Sequence, residues 1–189
     1  MRKFSLPLLL ASVLILEGCA VAVVAGAAGA ASAANDRRSI GAQIDDNNIE
    51  VKAELLFSEH ASLREHSNIS IVSFNGVVLL VGQAPNDQLR DLAAKTVADI
   101  IGVKKIHNQI RIGSSTSITT KTNDAWLTSK VKTQLLSDEQ VAGLNIKVVT
   151  ENAEVFLMGL ATMHEADKAV DIARNISGVG KVVKVFEYL

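Results

Sequence analysis

Apolar positions along this chain fall into three regimes. A continuous apolar run from Phe4 to Leu16 follows Met1-Arg2-Lys3 and ends in Leu16-Glu17-Gly18-Cys19. A second stretch, Ala20 to Ala34, is apolar but built mostly of Ala and Gly. From residue 45 onward the apolar residues take up helical or strand spacing. Leu127, Val131 and Leu135 recur every four residues, as do Ile49, Ala53 and Phe57, so each trio forms one stripe of a helix. Asn123 or Asp124 stands where it can cap the Leu127 helix. Ile69 and Ile71 alternate with Ser70, and Asn75-Gly76 followed by Val78 and Leu80 predicts a tight hairpin turn.

The third regime is an internal repeat. Asn68-Ile69-Ser70-Ile71 and Asn75-Gly76-Val77-Val78-Leu79-Leu80-Val81-Gly82 return as Asn145-Ile146-Lys147-Val148 and Asn152-Ala153-Glu154-Val155-Phe156-Leu157-Met158-Gly159. Upstream, Ile49 to Lys52 aligns with Leu127 to Lys130; downstream, Gly102 to Ile106 aligns with Gly178 to Val182. Each copy predicts helix, strand, strand, helix, strand. Ala153 stands where the first copy has Gly76, which predicts a different turn type in the second copy. The second helices start at Asn86 and at Thr162, where Thr162-Met163-His164-Glu165 is a capping box. Gly102 and Gly178 close these helices. The last strands run through Ile106, Ile110 and Ile112, and through Val182, Phe186 and Tyr188. The fold class is therefore α+β, two tandem three-stranded sheets with two helices on one face of each.

Strand alternation turns Val78, Leu80, Val155 and Leu157 toward the helices. The opposite face is also apolar, with Val77, Leu79 and Val81 in one copy and Phe156, Met158, Val183 and Val185 in the other. An exposed apolar patch of that size is rare on a monomer. Two arrangements cover it: the copies bury these faces against each other, or a partner protein or oligomer does so. Each copy is small for a stable domain by itself.

The N-terminal run has the basic, apolar and small-residue regions of a secretion signal. With Gly18-Cys19 at its end it resembles a bacterial lipoprotein signal. There the bond before Cys is cut, and acyl chains on the cysteine form the anchor. Glu17 departs from the small or apolar residue usual at its position. An uncleaved membrane helix is the alternative, and the Ala/Gly composition of 20–34 argues against it. Ala20 after the cysteine favours the outer membrane, since the inner-membrane retention signal is Asp. The expected organisation is a signal at 1–18, the lipidated Cys19 and tether at 19–44, a first domain at 45–112, a linker at 113–122 and a second domain at 123–189. The linker, Gly113-Ser114-Ser115-Thr116-Ser117-Ile118-Thr119-Thr120, has a flexible composition.

The repeat unit, Asn-aliphatic-x-aliphatic, then Gly, then aliphatic-x-Leu-x-Gly, then a helix ending in Gly-Val, resembles the BON domain. Tandem copies behind a lipoprotein signal resemble the dual-BON outer-membrane lipoproteins of Gram-negative bacteria. The resemblance covers the whole chain and is carried by Leu16 to Cys19, Val77 to Gly82, Asn123 to Gln134 and Thr150 to Leu160. It implies an αββαβ fold in each copy, no enzymatic activity, recognition of an anionic phospholipid membrane, and a role in outer-membrane integrity under envelope stress. It also implies periplasm-facing attachment, and envelope proteins of outer-membrane assembly or cell division as partners.

Composition narrows the chemistry further. The formal charge is −1 and the basic residues are scattered, which argues against nucleic acid as a partner. The single cysteine allows no disulfide framework and no cysteine metal site, so the only prosthetic group expected is the covalent lipid on Cys19. His60, His66, His107 and His164 lack metal-ligand spacing, no nucleophile or phosphate-loop motif is present, and His107 is expected on the surface. Trp126 is the residue that stands out. At about 100° per residue, Trp126, Lys130 and Thr133 project away from the Leu127 stripe, with Leu136 further round and Lys132 on the flank. An outward indole beside an ammonium suits a bilayer interface; packing of Trp126 on the linker or the first copy is the alternative. The resemblance favours the bilayer, because in the family the first helix of the second copy is implicated in lipid binding. The first copy has Asn48, Glu54 and Ser58 in place of Trp126, Lys132 and Leu136, so lipid contact is expected to belong to the second copy.

Overall fold

In the computed structural model, which describes residues 36–189, the Ser39 hydroxyl accepts the Ala42 amide proton and starts α1 (Ile40–Glu59). The signal, Cys19 and the tether up to residue 35 lie outside the described residues. The first copy continues with a short α2 (Ala61–His66), β1 (Asn68–Phe74), β2 (Val77–Ala84), α3 (Asp87–Ala98) and β3 (Lys105–Ile112). The second has α4 (Ile118–Ser137), a 3-10 turn at Gly143–Asn145, β4 (Ile146–Glu151), β5 (Glu154–Ala161), α5 (Met163–Arg174) and β6 (Lys181–Tyr188). In each sheet the middle strand pairs antiparallel with the strand before it and parallel with the strand after the crossover helix. This is the αββαβ order, with α2 an addition that the first copy alone carries. Asn86 and the Thr162–Glu165 capping box start α3 and α5 as the sequence predicts.

Both first helices start earlier than expected. Ser117, whose hydroxyl accepts from the Thr120 amide, caps α4, so the last residues of the expected linker are helical. Residues 40–44 of the expected tether likewise belong to α1. Asp124 does not cap α4 because it serves another purpose. It is buried inside the helix and its carboxylate accepts the Asn152 and Ala153 amides of the β4–β5 turn, each at 2.8 Å. Asp46 does the same in the first copy, taking the amides of Asn75 (2.6 Å) and Gly76 (2.8 Å), the Ser73 hydroxyl (2.7 Å) and the Arg38 guanidinium (2.7 Å). Burial pushes the Asp46 carboxyl up, but these donors outweigh it and hold it below its ordinary value.

The two hairpin turns also prove alike. Asn75 and Gly76 have φ of 52° and 79°, and Asn152 and Ala153 have φ of 56° and 60°, so both central residues are left-handed in both copies. The surroundings of Ala153 differ from those of Gly76 in one side chain. A Cβ at Gly76 would stand 2.6 Å from the Gly102 carbonyl and 3.1 Å from the Lys104 side chain, whereas the second copy has Gly180 where the first has Lys104.

Three apolar cores follow from strand alternation. Val78 and Leu80 pack with Ile49, Ala53, Ala93 and Val97 under the helices of the first copy. Val155 and Leu157 pack with Leu127, Val131, Leu135 and Ala169 in the second. Between the sheets, Phe74, Val77, Leu79 and Val81 meet Phe156, Met158 and Val185, with Val183 packed beside them. The copies therefore bury their second apolar faces against each other. Polar contacts ring this interface: Gln83 donates to Glu151 (2.6 Å), Asn75 to Glu187 (2.9 Å), Lys147 to Glu50 (2.9 Å), and Arg111 pairs with Glu154 (2.6 Å).

Candidate functional site

With both faces of each sheet covered, the sheet faces offer no binding surface, whereas the outward face of α4 does. α4 buries Asp124, Leu127, Val131 and Leu135. Opposite them Trp126 is 53% exposed and belongs to none of the three cores, so the indole faces solvent. The Lys130 ammonium lies over its ring, 4.3 Å from the centroid, a cation–π pair that pre-positions a charge beside an amphipathic aromatic. Thr133 is exposed near the centre of this face and Leu136 is exposed at its edge. Lys132 is exposed too, about 160° around the axis from Lys130, so the two lysines flank the face from opposite sides.

Three of the hydroxyls on this face are bonded back to the helix. Thr122 donates to the Ile118 carbonyl (3.0 Å), Ser129 to Ala125 (3.0 Å) and Thr133 to Ser129 (2.9 Å). Side chains bonded back to their own helix bring no unsatisfied donor when water is removed. Charge points the same way. The only acid in α4 is the buried Asp124, whereas Lys121, Lys130 and Lys132 are basic.

Beside the Trp126–Lys130 pair, Lys130 and Gln134 of α4 and Ile172, Asn175, Ile176 and Ser177 at the end of α5 line an open groove. The groove escaped the sequence reading because it forms only where the two helices meet. Ile118, 84% exposed at the start of α4, was missed because the helix was placed later. His107, expected on the surface, is half-buried in β3. Burial and the nearby Lys105 lower its pKa. Among the described residues no three His, Cys, Asp or Glu gather to hold a metal ion, and no helix is long and apolar enough to cross a membrane.

Comparison with known proteins accords with this architecture. The BON domain model matches residues 45–114 and again 123–189. The chain is 41% identical over 184 residues to the outer membrane lipoprotein DolP of Haemophilus influenzae, spanning 97% of this chain and 95% of that protein. It is 40% identical over 154 residues to the 21 kDa hemolysin of Actinobacillus pleuropneumoniae, spanning 82% of this chain and 79% of that one. Two copies of the fold, matched in order and nearly end to end, place the chain in the BON-domain family.

Proposed function

We propose that this protein is a non-enzymatic outer-membrane lipoprotein, held by lipid on Cys19 and facing the periplasm, whose α4 docks on anionic phospholipid. Its role is to support outer-membrane integrity and resistance to envelope stress. The observation that carries the docking step is the exposed Trp126 with Lys130 stacked on it, set in a face with no exposed acid. The indole settles at headgroup depth while Lys130 and Lys132 meet phosphate from either side, and the groove by Lys130 and Asn175 offers polar groups to a headgroup. Each lysine near an anionic surface contributes about 1 kcal/mol, so docking is weak by itself. The acyl anchor makes it effective by holding α4 at high local lipid concentration. Membrane composition then decides how α4 is engaged, while the anchor stays put.

A protein-interaction module is the competing reading, and its use of the apolar sheet faces is closed off because those faces bury each other. The test is vesicle flotation of the mature chain carrying Cys19→Ser, which removes the anchor. Flotation with anionic but not zwitterionic vesicles, lost in Trp126→Ala/Lys130→Glu, is the expected result. Flotation that survives both substitutions removes α4 from the mechanism.

A further inference from the structure

The edges of the two sheets are β1, β3, β4 and β6. Charged residues on an edge discourage a foreign strand from pairing there. β3 carries Lys105 and Arg111, β4 carries Lys147 and Glu151, and β6 carries Lys181, Lys184 and Glu187. β1, running from Asn68 to Phe74, has neither a charge nor a proline. Phe74 faces Val77 across a two-residue turn, so Asn68, Ser70, Val72 and Phe74 bond to β2, and the residues between them point their amides and carbonyls outward. At Ser73 both outward groups are taken, the amide by the Glu50 carboxylate (2.7 Å) and the carbonyl by Lys147 (3.3 Å). At Ile69 and Ile71 they have no partner among the described residues.

Beside those two residues lies an open pocket, bounded by β1, the end of α1, and α2, the helix that the first copy alone carries. Phe57, Leu63, Ile69 and Ile71 give it apolar walls, and Glu54 and Arg64 line it as well. A cavity of about 150 Å³ holds benzene. At about 230 Å³ this pocket has room for one leucine or phenylalanine side chain. Arg64 is occupied by the Ser58 carbonyl (3.1 Å) and by Glu65 (3.0 Å), which leaves the exposed Glu54 as the charge that an occupant meets. The Ser67 hydroxyl, also at the pocket, is buried and has no hydrogen-bond partner among the described residues. An unpaired buried donor carries a cost that an incoming acceptor removes.

These features select one occupant. The outward groups of Ile69 and Ile71 repeat about 6.7 Å apart, a spacing that an extended backbone matches. Side chains of an added strand alternate between the two faces of the sheet, so one of them falls on the helix side, next to Ile69 and Ile71, where the pocket is. Glu54 favours a lysine or arginine beside it. A hydrocarbon chain fills the pocket but leaves the backbone groups and the Glu54 carboxylate unmatched. We infer that β1 receives an extended segment of another protein as a fourth strand, with an apolar side chain in the pocket and a basic residue flanking it.

This strand addition uses neither the anchor nor the docking of α4, so it and the proposed function fail separately. The probe is the peptide acetyl-Lys-Thr-Val-Thr-Phe-Thr-Val-Thr-Lys-amide, titrated without lipid into the mature chain carrying Cys19→Ser. Amide hydrogen exchange is read residue by residue by NMR. Exchange at Ile69 and Ile71 is expected to slow several-fold at saturation, while exchange at Val148, outward on the equivalent strand β4, is unchanged. Alanine in place of the peptide's phenylalanine, and Glu54→Lys in the protein, each weaken binding several-fold. Glu54 is exposed, and an unchanged circular dichroism spectrum confirms that the variant folds. No slowing at Ile69 and Ile71 with millimolar peptide, equal slowing at Val148, or indifference to both changes overturns the inference. So does slowing that grows with protein concentration in the absence of peptide, which assigns the edge to a second copy of this chain.

Discussion

The Arg37 guanidinium grips the Glu165 carboxylate with two hydrogen bonds, of 2.9 and 2.7 Å, across 128 residues of sequence. It also donates to the Leu160 carbonyl, while the next residue, Arg38, binds Asp46 and lies 3.9 Å from the Phe74 ring centroid. Consecutive arginines at the end of the tether thus clasp one copy each. The Arg37 hydrogen bonds hold the Glu165 carboxyl down to about 2, against an ordinary 4.5. A carboxylate with a depressed folded pKa contributes stability above its ordinary pKa and loses it as pH falls toward the folded value. Arg37→Gln is therefore expected to destabilise most above pH 4.5, with the difference from the parent shrinking between pH 4.5 and about 2. Urea unfolding at a series of pH values checks this, and a difference that persists unchanged to pH 2 contradicts it.

Ala153 at φ 60° carries a steric cost that glycine would not. Part of the gain from glycine is cancelled by its larger unfolded-state entropy, which leaves a net stabilisation for Ala153→Gly of about 1 kcal/mol. The reciprocal change, Gly76→Ala, drives a Cβ to 2.6 Å from the Gly102 carbonyl and is expected to cost about 2–3 kcal/mol. Thermal unfolding of the two variants measures both signs at once.

Leu79 is fully buried between the sheets, yet it belongs to the first copy, whereas the only tryptophan is in the second. Truncating a buried leucine costs about 2–5 kcal/mol. If the shared core makes the copies unfold as one, Leu79→Ala lowers the urea midpoint reported by Trp126 fluorescence as much as that reported by circular dichroism. Independent copies would leave the Trp126 midpoint where it was.

The strands and the crossover helices were legible because they follow from local periodicity, and so was the need to cover a second apolar face of each sheet, whereas the structure decided that the two sheets cover each other. Val77, Leu79 and Val81 alternate with Val78 and Leu80, and an apolar strand on both faces has to be covered twice. The starts of the first helix of each copy, α1 and α4, were not legible. Asp124 has the chemistry of a cap, and only the position of the β4–β5 turn shows that its oxygens belong to the Asn152 and Ala153 amides. The wheel correctly turned Trp126 outward, but the stacking of Lys130 and the groove shared with α5 depend on rotamers and on a neighbouring helix. The exposed aliphatic residues of α1, Ile40, Ile44, Val51 and Leu55, were written in the sequence at ordinary helical spacing. They passed unnoticed because Ile49, Ala53 and Phe57 already accounted for that helix.

Because Trp126 is the only tryptophan and is half exposed, its fluorescence reports α4 alone. In buffer its emission is expected at the long wavelengths of a hydrated indole, modified by the ammonium above it. Anionic vesicles added to the Cys19→Ser chain should shift it to the blue, since insertion at headgroup depth removes water from the ring. Zwitterionic vesicles should not. The two lysines make different contributions to that shift. Lys132 is remote from the ring and supplies long-range attraction only, so Lys132→Gln should weaken the lipid titration without changing the shift at saturation. Lys130 also touches the indole, so Lys130→Gln should weaken the titration and alter the emission of the free protein as well. Added salt should weaken binding less in either single variant than in the parent, because one screened contact has already gone. Equal effects of the two substitutions on free-protein emission would show that the stacked geometry does not persist in solution.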